Sequence, residues 1–283
     1  MRAAKMILIL ILILMLLLSA IPAMGADGAS PYTFGVVPQF EARRIVEIWR
    51  PILDRVAAAA GVELTLVGSA DIPTFERDFS AGKLDFAYMN PYHLIMAHDA
   101  AGYLPLVRDV GRTLFGIIVV HRDSPIQAPA GLAGKTVAFP APNALGASLL
   151  VRAELARKFQ VRITPRYVGS HTSVYLNVAT RQTDAGGGVR ATLLRQKPAV
   201  QDQLRVIHRT ADVAPHPVAV HPRVDPAVRE RVRRALIALG EIESGRRLLA
   251  AVPMTRIGPA EPADYEPLRT LWLGTFYVEP FSP

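Results

Sequence analysis

The chain has 283 residues, seven histidines, no cysteine and a formal net charge of +8 at pH 7. Without cysteine there can be no disulfide, thiolate metal site, cysteine nucleophile or lipid carried on a cysteine. A basic chain raises the question of nucleic-acid binding. Here much of the positive charge is arginine on apparent helices, as at Arg229, Arg231, Arg233 and Arg234. That is the pattern of a solvated surface, and no nucleic-acid partner is expected.

The N-terminus reads as an export signal. Arg2 and Lys5 precede an apolar run from Met6 to Leu18, and Ala23-Met24-Gly25 follows as a small-residue cleavage site. The run is shorter than the ~20 residues a spanning helix needs. Residues 1–25 are therefore expected to be a signal peptide, and the remainder is expected to work in a bacterial periplasm.

Beyond it, short β-type runs alternate with amphipathic helical ones. Tyr32–Val37 reads as a strand ended by Pro38. The segment from Glu41 to Ala60 reads as a helix with Ile45, Ile48, Trp49, Ile52, Leu53 and Val56 on one stripe, stopped by Gly61. Strands at Val62–Val67 and Leu84–Met89 bracket a short helix from Ile72 to Ala81. A helix from Pro91 to Ala100 opens with Asn90 as cap and Pro91 at its first position. Strands follow at Leu104–Val107 and Leu114–Val120. A Pro-, Ala- and Gly-rich stretch from Ser124 to Leu132 marks a change of unit. A second, smaller series then runs as strand Lys135–Phe139, helix Leu145–Phe159, extended segments to Val168, helix Thr172–Arg181 and the turn Asp184–Gly188. The proline-rich segment Val213–Val224 reads as a crossing, and helices at Pro226–Gly240, Ser244–Ala251 and Asp264–Thr270 complete the chain. Alternating strands and helices predict an α/β protein built on parallel sheets with right-handed crossovers.

Such sheets bind ligands at the carboxyl ends of their strands. Four strand ends hold candidate residues. Tyr88-Met89-Asn90-Pro91-Tyr92 joins a strand to a helix whose N-terminal amides suit an anion, with Tyr88 and Tyr92 as hydroxyl donors. Asn143 sits in a similar turn among inert side chains. Ser170-His171-Thr172-Ser173 crowds donors at another helix start, with Ser170 as N-cap. Asp184 precedes three glycines that permit close backbone approach. Enzyme motifs are missing: there is no Walker lysine, His-Glu-x-x-His or Gly-x-Ser-x-Gly. No cofactor, no metal and no catalytic residue is expected.

In order and spacing, these segments resemble the periplasmic binding components of phosphate, phosphite and phosphonate ABC transporters. The resemblance spans about Tyr32 to Leu271. It rests on Gly82–Tyr92, Lys135–Pro140, Gly169–Tyr175 and Asp184–Gly187. It implies a type II periplasmic-binding fold, two α/β lobes joined by a two-strand hinge: residues 26–121 with 216–283 in one lobe and 122–215 in the other. It also implies that Tyr88, His171 and Asp184 hold ligand oxygens; Asn90, Tyr92, Asn143, Ser170 and Thr172 are the further ligand-binding candidates from the strand ends. The expected partners are a small anionic ligand and a membrane permease, the protein acting as a monomer. A receptor feeding a membrane sensor kinase is the alternative, and a hydrolase using His171 with Ser170 or Ser173 ranks last. One departure stands out. Where the family carries a Ser-Thr-Ser-Gly run around the phosphonate oxygens, this chain has Asn143-Ala144-Leu145-Gly146. Each lost partner costs a buried oxyanion about 1–3 kcal/mol, which implies a different oxyanion, a less charged molecule or a larger one.

Overall fold

The strand segments of this chain assort into two separate sheets, and the ligand question turns on what lies between them. A computed structural model describes residues 30–252 and 254–278; the expected signal peptide lies outside them. Among the described residues, no helix is long and apolar enough to cross a membrane.

The first sheet begins with β1 (Tyr32–Val36), α1 (Ala42–Ala60), β2 (Leu64–Val67), α2 (Ile72–Ser80), β3 (Phe86–Tyr88), α3 (Pro91–Ala101) and β4 (Leu104–Asp109). The second contains β5 (Ile117–His121), β6 (Thr136–Phe139), α4 (Leu150–Arg157), β7 (Thr164–Tyr167), α5 (His171–Ala179), β8 (Ala185–Gly188), α6 (Arg190–Leu193), α7 (Pro198–Gln201) and β9 (Leu204–Arg209). The chain then returns to the first sheet with β10 (Val218–Val220), α8 (Pro226–Glu241), α9 (Glu243–Leu249) and β11 (Ile257–Pro259). Strand orders are β11-β4-β10-β3-β1-β2 and β7-β6-β8-β5-β9.

Local chemistry explains the element boundaries. In α1, the apolar stripe Ile45, Ile48, Trp49, Ile52, Leu53 and Val56 is buried, and Gly61 closes the helix at φ 62°, a conformation glycine adopts without a Cβ penalty. Asn90 caps α3 by accepting from the His93 amide at 2.8 Å. Ser170 caps α5 by accepting from the Ser173 amide at 3.1 Å. Asp225 caps α8 through the amides of Ala227 and Val228.

Three sequence expectations are corrected. Both sheets are mixed: β1 pairs parallel with β2 and β3, but β10 runs antiparallel to β3 and β4, and β5 antiparallel to β8 and β9. The strands that carry the chain between sheets enter in reverse, which an alternating strand-helix pattern does not reveal. Second, β5 belongs to the second sheet, so the chain leaves the first sheet between Asp109 and Ile117 rather than at 121/122; the Pro-rich stretch after Ser124 is a short 3-10 turn inside the second lobe. Third, the helix expected from Leu145 starts with a π turn over Leu145–Leu149, in which the amides of Ser148 and Leu149 both reach the Ala144 carbonyl.

The two crossings touch. Leu114 and Val213 form an isolated antiparallel bridge, with amide-to-carbonyl distances of 2.8 and 2.9 Å. A third link runs along the C-terminal segment. The Arg152 guanidinium of α4 donates to the Phe276 carbonyl at 2.8 Å, and the Arg157 guanidinium lies 4.5 Å from the Trp272 ring centroid. Leu145, Leu149, Leu150 and Ala153 accordingly share the large core of the first lobe, while the second sheet has smaller apolar clusters on each of its faces.

Candidate functional site

A cleft of 790 Å³ lies between the lobes, with a smaller hollow of 110 Å³ against it. The two share Val37, Gln39, Leu114, Ser170, His171, Val189 and His216. Each lobe contributes strand ends. From the first come Val36 and Val37 at the end of β1, Tyr88 at the end of β3, and Asp109 and Arg112 at and just past the end of β4. From the second come the start of α5 and residues 189–197 after β8.

The second-lobe wall is the N-terminus of α5. Its cap, Ser170, uses its hydroxyl within the helix, 2.9 Å from Ser173 Oγ. The first-turn amides have no acceptor inside the helix and carry the positive end of its dipole. His171 Nδ1 sits 3.4 Å from Thr192 Oγ1, which is itself 2.8 Å from the buried Tyr175 hydroxyl. Thr192 and Tyr175 thus hold the His171 ring in place. Burial pushes the His171 pKa down to about 4, so at neutral pH the imidazole is uncharged and offers one N–H and one lone pair. Thr172 is exposed on the same turn, with its Oγ1 3.4 Å from the Gln196 amide nitrogen.

The first-lobe wall is an aromatic stack. Tyr88 packs between Trp49, at 4.8 Å between centroids, and His216, at 5.5 Å and 26°. Burial raises the Tyr88 phenol well above its ordinary pKa, so it remains a neutral hydroxyl. His216 is pushed down to about 3, chiefly by burial and in lesser part by the neighbouring Arg112 charge. The Gln39 side-chain amide lies 2.8 Å from His216 Nε2. An amide N–H only donates, so the neutral imidazole accepts there and carries its proton on Nδ1.

Charge in the cleft is positive on balance. Arg112, Arg195 and Lys197 line it. Of its two acids, Asp109 is occupied: its oxygens accept from the amides of Gly111, Thr255 and Arg256 and from the Thr255 hydroxyl, at 2.6–3.3 Å. Glu41 is exposed at the rim. Among the described residues, no group of three or more His, Asp or Glu is placed to hold a metal ion.

The structure brings Tyr88, Ser170, His171 and Thr172 to the cleft and Asn90 to the adjoining hollow. The other three candidates lie elsewhere. Asp184 sits at the start of β8, opposite to the end that faces the cleft; it accepts from the Thr136 amide at 2.9 Å and pairs with Lys135 at 3.9 Å. Asn143 is buried and committed: it donates to Glu76 at 3.0 Å and to the Val278 carbonyl at 2.8 Å, and accepts from the Val278 amide at 2.9 Å. Tyr92 packs edge-on against Tyr277, 5.5 Å between centroids. The glycines after Asp184 serve packing rather than a ligand. A Cβ on Gly187 would lie 2.1 Å from the Ala147 carbonyl oxygen, and one on Gly188 would lie 2.3 Å from the Tyr175 hydroxyl.

Gln39, Trp49, Arg112, Thr192 and His216 escaped the sequence reading. The rule applied there, reading just past each strand, reaches Gln39 and Arg112 when it is extended to the ends of β1 and β4.

A model of the phosphonate ABC transporter periplasmic substrate-binding protein matches residues 34–265. The chain belongs to that family. It is a periplasmic solute-binding protein of ABC transport and not an enzyme; its class works with a small ligand and a membrane permease. Solved structures share the fold. The binding-protein component of an ABC phosphonate transporter from Pseudomonas aeruginosa superposes with TM-score 0.71 at 19% identity, over 85% of each chain. PhnD1 from Prochlorococcus marinus, in complex with methylphosphonate, gives TM-score 0.74 at 14% identity, over 85% of this chain and 96% of that one. A Xanthomonas citri protein bound to ATP gives 0.76 at 20% identity, over 88% of this chain and all of that one.

Proposed function

We propose that this solute-binding protein captures an oxyanion of the phosphate or phosphonate kind in the cleft between its lobes and delivers it to a membrane permease. The supporting observation is the convergence on one cleft of the α5 N-terminus, the Tyr88 hydroxyl, neutral His171 and His216, and three cationic side chains. Helix-start amides and hydroxyls replace the water around an anion without covalent chemistry, and nearby Arg and Lys raise its local concentration. In this reading Ser170 orients the helix start, the amides of His171 and Thr172 meet the oxyanion, and Asn90 borders the hollow beside it. The methylphosphonate held by the Prochlorococcus relative and the ATP held by the Xanthomonas one both carry such a group, which favours the same head group here.

Lobe closure about the paired crossings at Leu114 and Val213 would seal the cleft, and the lobe division becomes residues 32–113 with 214–278 against 114–213. Export by the N-terminal signal and action as a monomer complete the proposal.

Thermal-shift titration with inorganic phosphate, phosphite and methylphosphonate, against chloride, tests it. A ligand that binds only the folded state stabilises it in proportion to the logarithm of its concentration. A rising melting midpoint with at least one phosphorus oxyanion and none with chloride is the expected result. A midpoint indifferent to all of them at saturating concentration would remove the reading.

A further inference from the structure

The cleft holds more than a bare tetrahedral anion requires. Its 790 Å³ falls within the about 300–1,000 Å³ of sites that enclose organic ligands. Beside the polar groups at the start of α5 and at His216, much of the remaining lining is hydrocarbon. Ile45 and Ile48 of α1 and Val252 and Met254 after α9 line the first-lobe side, and Leu176 and Val200 line the second-lobe side.

Two apolar residues of the cleft wall are also open to solvent. Phe40, just after β1, is 40% exposed and Leu176, on α5, is 43% exposed, yet both line the cleft from opposite lobes. Large apolar side chains left open in one cleft gain when something apolar is placed against them. Leu176 lies on the same helix as the anion-binding start, one and a half turns along from His171. A ligand whose charged head meets the α5 amides would therefore lay its remaining bulk against Leu176.

We infer that the ligand is an organic phosphonate or phosphate ester with a substantial apolar or aromatic substituent, its oxyanion at the α5 N-terminus and its organic body between Phe40 and Leu176. The inference rests on the oxyanion reading above and adds the substrate class. Inorganic phosphate and methylphosphonate fill only the polar end and leave the apolar walls wet. A ring or chain of six or more carbons displaces that water and is held by both lobes at once. Arg195 and Lys197, after α6 and also on the cleft, keep the requirement for net negative charge.

Calorimetric titration of the full chain with methylphosphonate, phenylphosphonate and the neutral analogue benzyl alcohol separates the possibilities. The expected result is phenylphosphonate binding about tenfold or more tighter than methylphosphonate, with benzyl alcohol failing to bind measurably. Equal affinities, or a preference for methylphosphonate, would overturn the apolar-substituent inference and leave the oxyanion receptor standing. Binding of benzyl alcohol as tight as phenylphosphonate, or binding by neither phosphonate, would overturn the oxyanion reading itself. Phe40→Ser with Leu176→Asn, both at exposed positions where the fold has little at stake, is expected to shrink the phenyl-to-methyl ratio about threefold or more. An undiminished ratio would mean that these side chains do not touch the substituent, contrary to the inference.

Discussion

Leu114 and Val213 exchange two backbone hydrogen bonds across the segments that carry the chain from one sheet to the other and back. Both crossings are thereby fixed side by side at the base of the cleft, where Leu114 itself forms part of the wall. Val213→Pro deletes the amide that bonds to the Leu114 carbonyl and leaves a carbonyl unpaired. The expected cost is about 1–3 kcal/mol of stability together with weaker ligand binding, read by thermal melts and calorimetry. An unchanged melting midpoint would show that the bridge does not couple the crossings.

His171 and His216 make stability depend on pH in a defined window. Their folded pKa values are depressed from 6.5 to about 4 and about 3, in both cases chiefly by burial. Above 6.5 both are neutral whether the chain is folded or not. Below it the unfolded chain takes up protons that the folded chain refuses, so stability falls as pH drops from about 6.5 toward 4. Melting midpoints measured across that range should decline in the wild type and decline less in His171→Gln. The carboxylates held below their ordinary value, such as Asp99 beside Arg269 and Asp264 beside Arg108, add their loss only at lower pH. A wild-type midpoint flat between pH 6.5 and 4 would contradict the two neutral imidazoles.

Asn143 and Asp184 separate the structural account from the sequence reading. Asn143 holds the C-terminal segment through both backbone groups of Val278 and donates to Glu76 Oε1. Asn143→Ala should lower stability by about 1–3 kcal/mol for the partners left unpaired, with ligand affinity reduced far less than by His171→Ala. Parallel calorimetry of the two variants makes the comparison.

Asp184→Ala should leave ligand affinity unchanged, since the carboxylate sits at the strand end away from the cleft and pairs there with Lys135. Its exposed ion pair contributes little to stability. A tenfold loss of affinity in this variant would return Asp184 to the binding site.

How far the sequence could be read follows from the range of each signal. Capping and periodicity are local, so the helix after Glu41, the Asn90 and Ser170 caps and the helix start at His171 are legible. The antiparallel entry of β5 and β10 was not, because strand direction depends on which distant strand is met. Asp184 and Asn143 were misread for the same reason: a residue type beside a strand says nothing about which end of the sheet it faces, or whether a segment more than a hundred residues away claims its hydrogen bonds. His216 lies in a proline-rich crossing with no motif around it, and only the approach of Gln39 and Tyr88 gives it an oriented, half-buried ring.

The central claim, an oxyanion held between the lobes at the start of α5, is tested most directly by a crystal structure of the protein grown with saturating phenylphosphonate. The account predicts a phosphorus atom beside the backbone amides of His171 and Thr172, with the ring directed toward Leu176 and Phe40. A ligand-free cleft under those conditions, or a phosphonate bound on another face of the molecule, would contradict it.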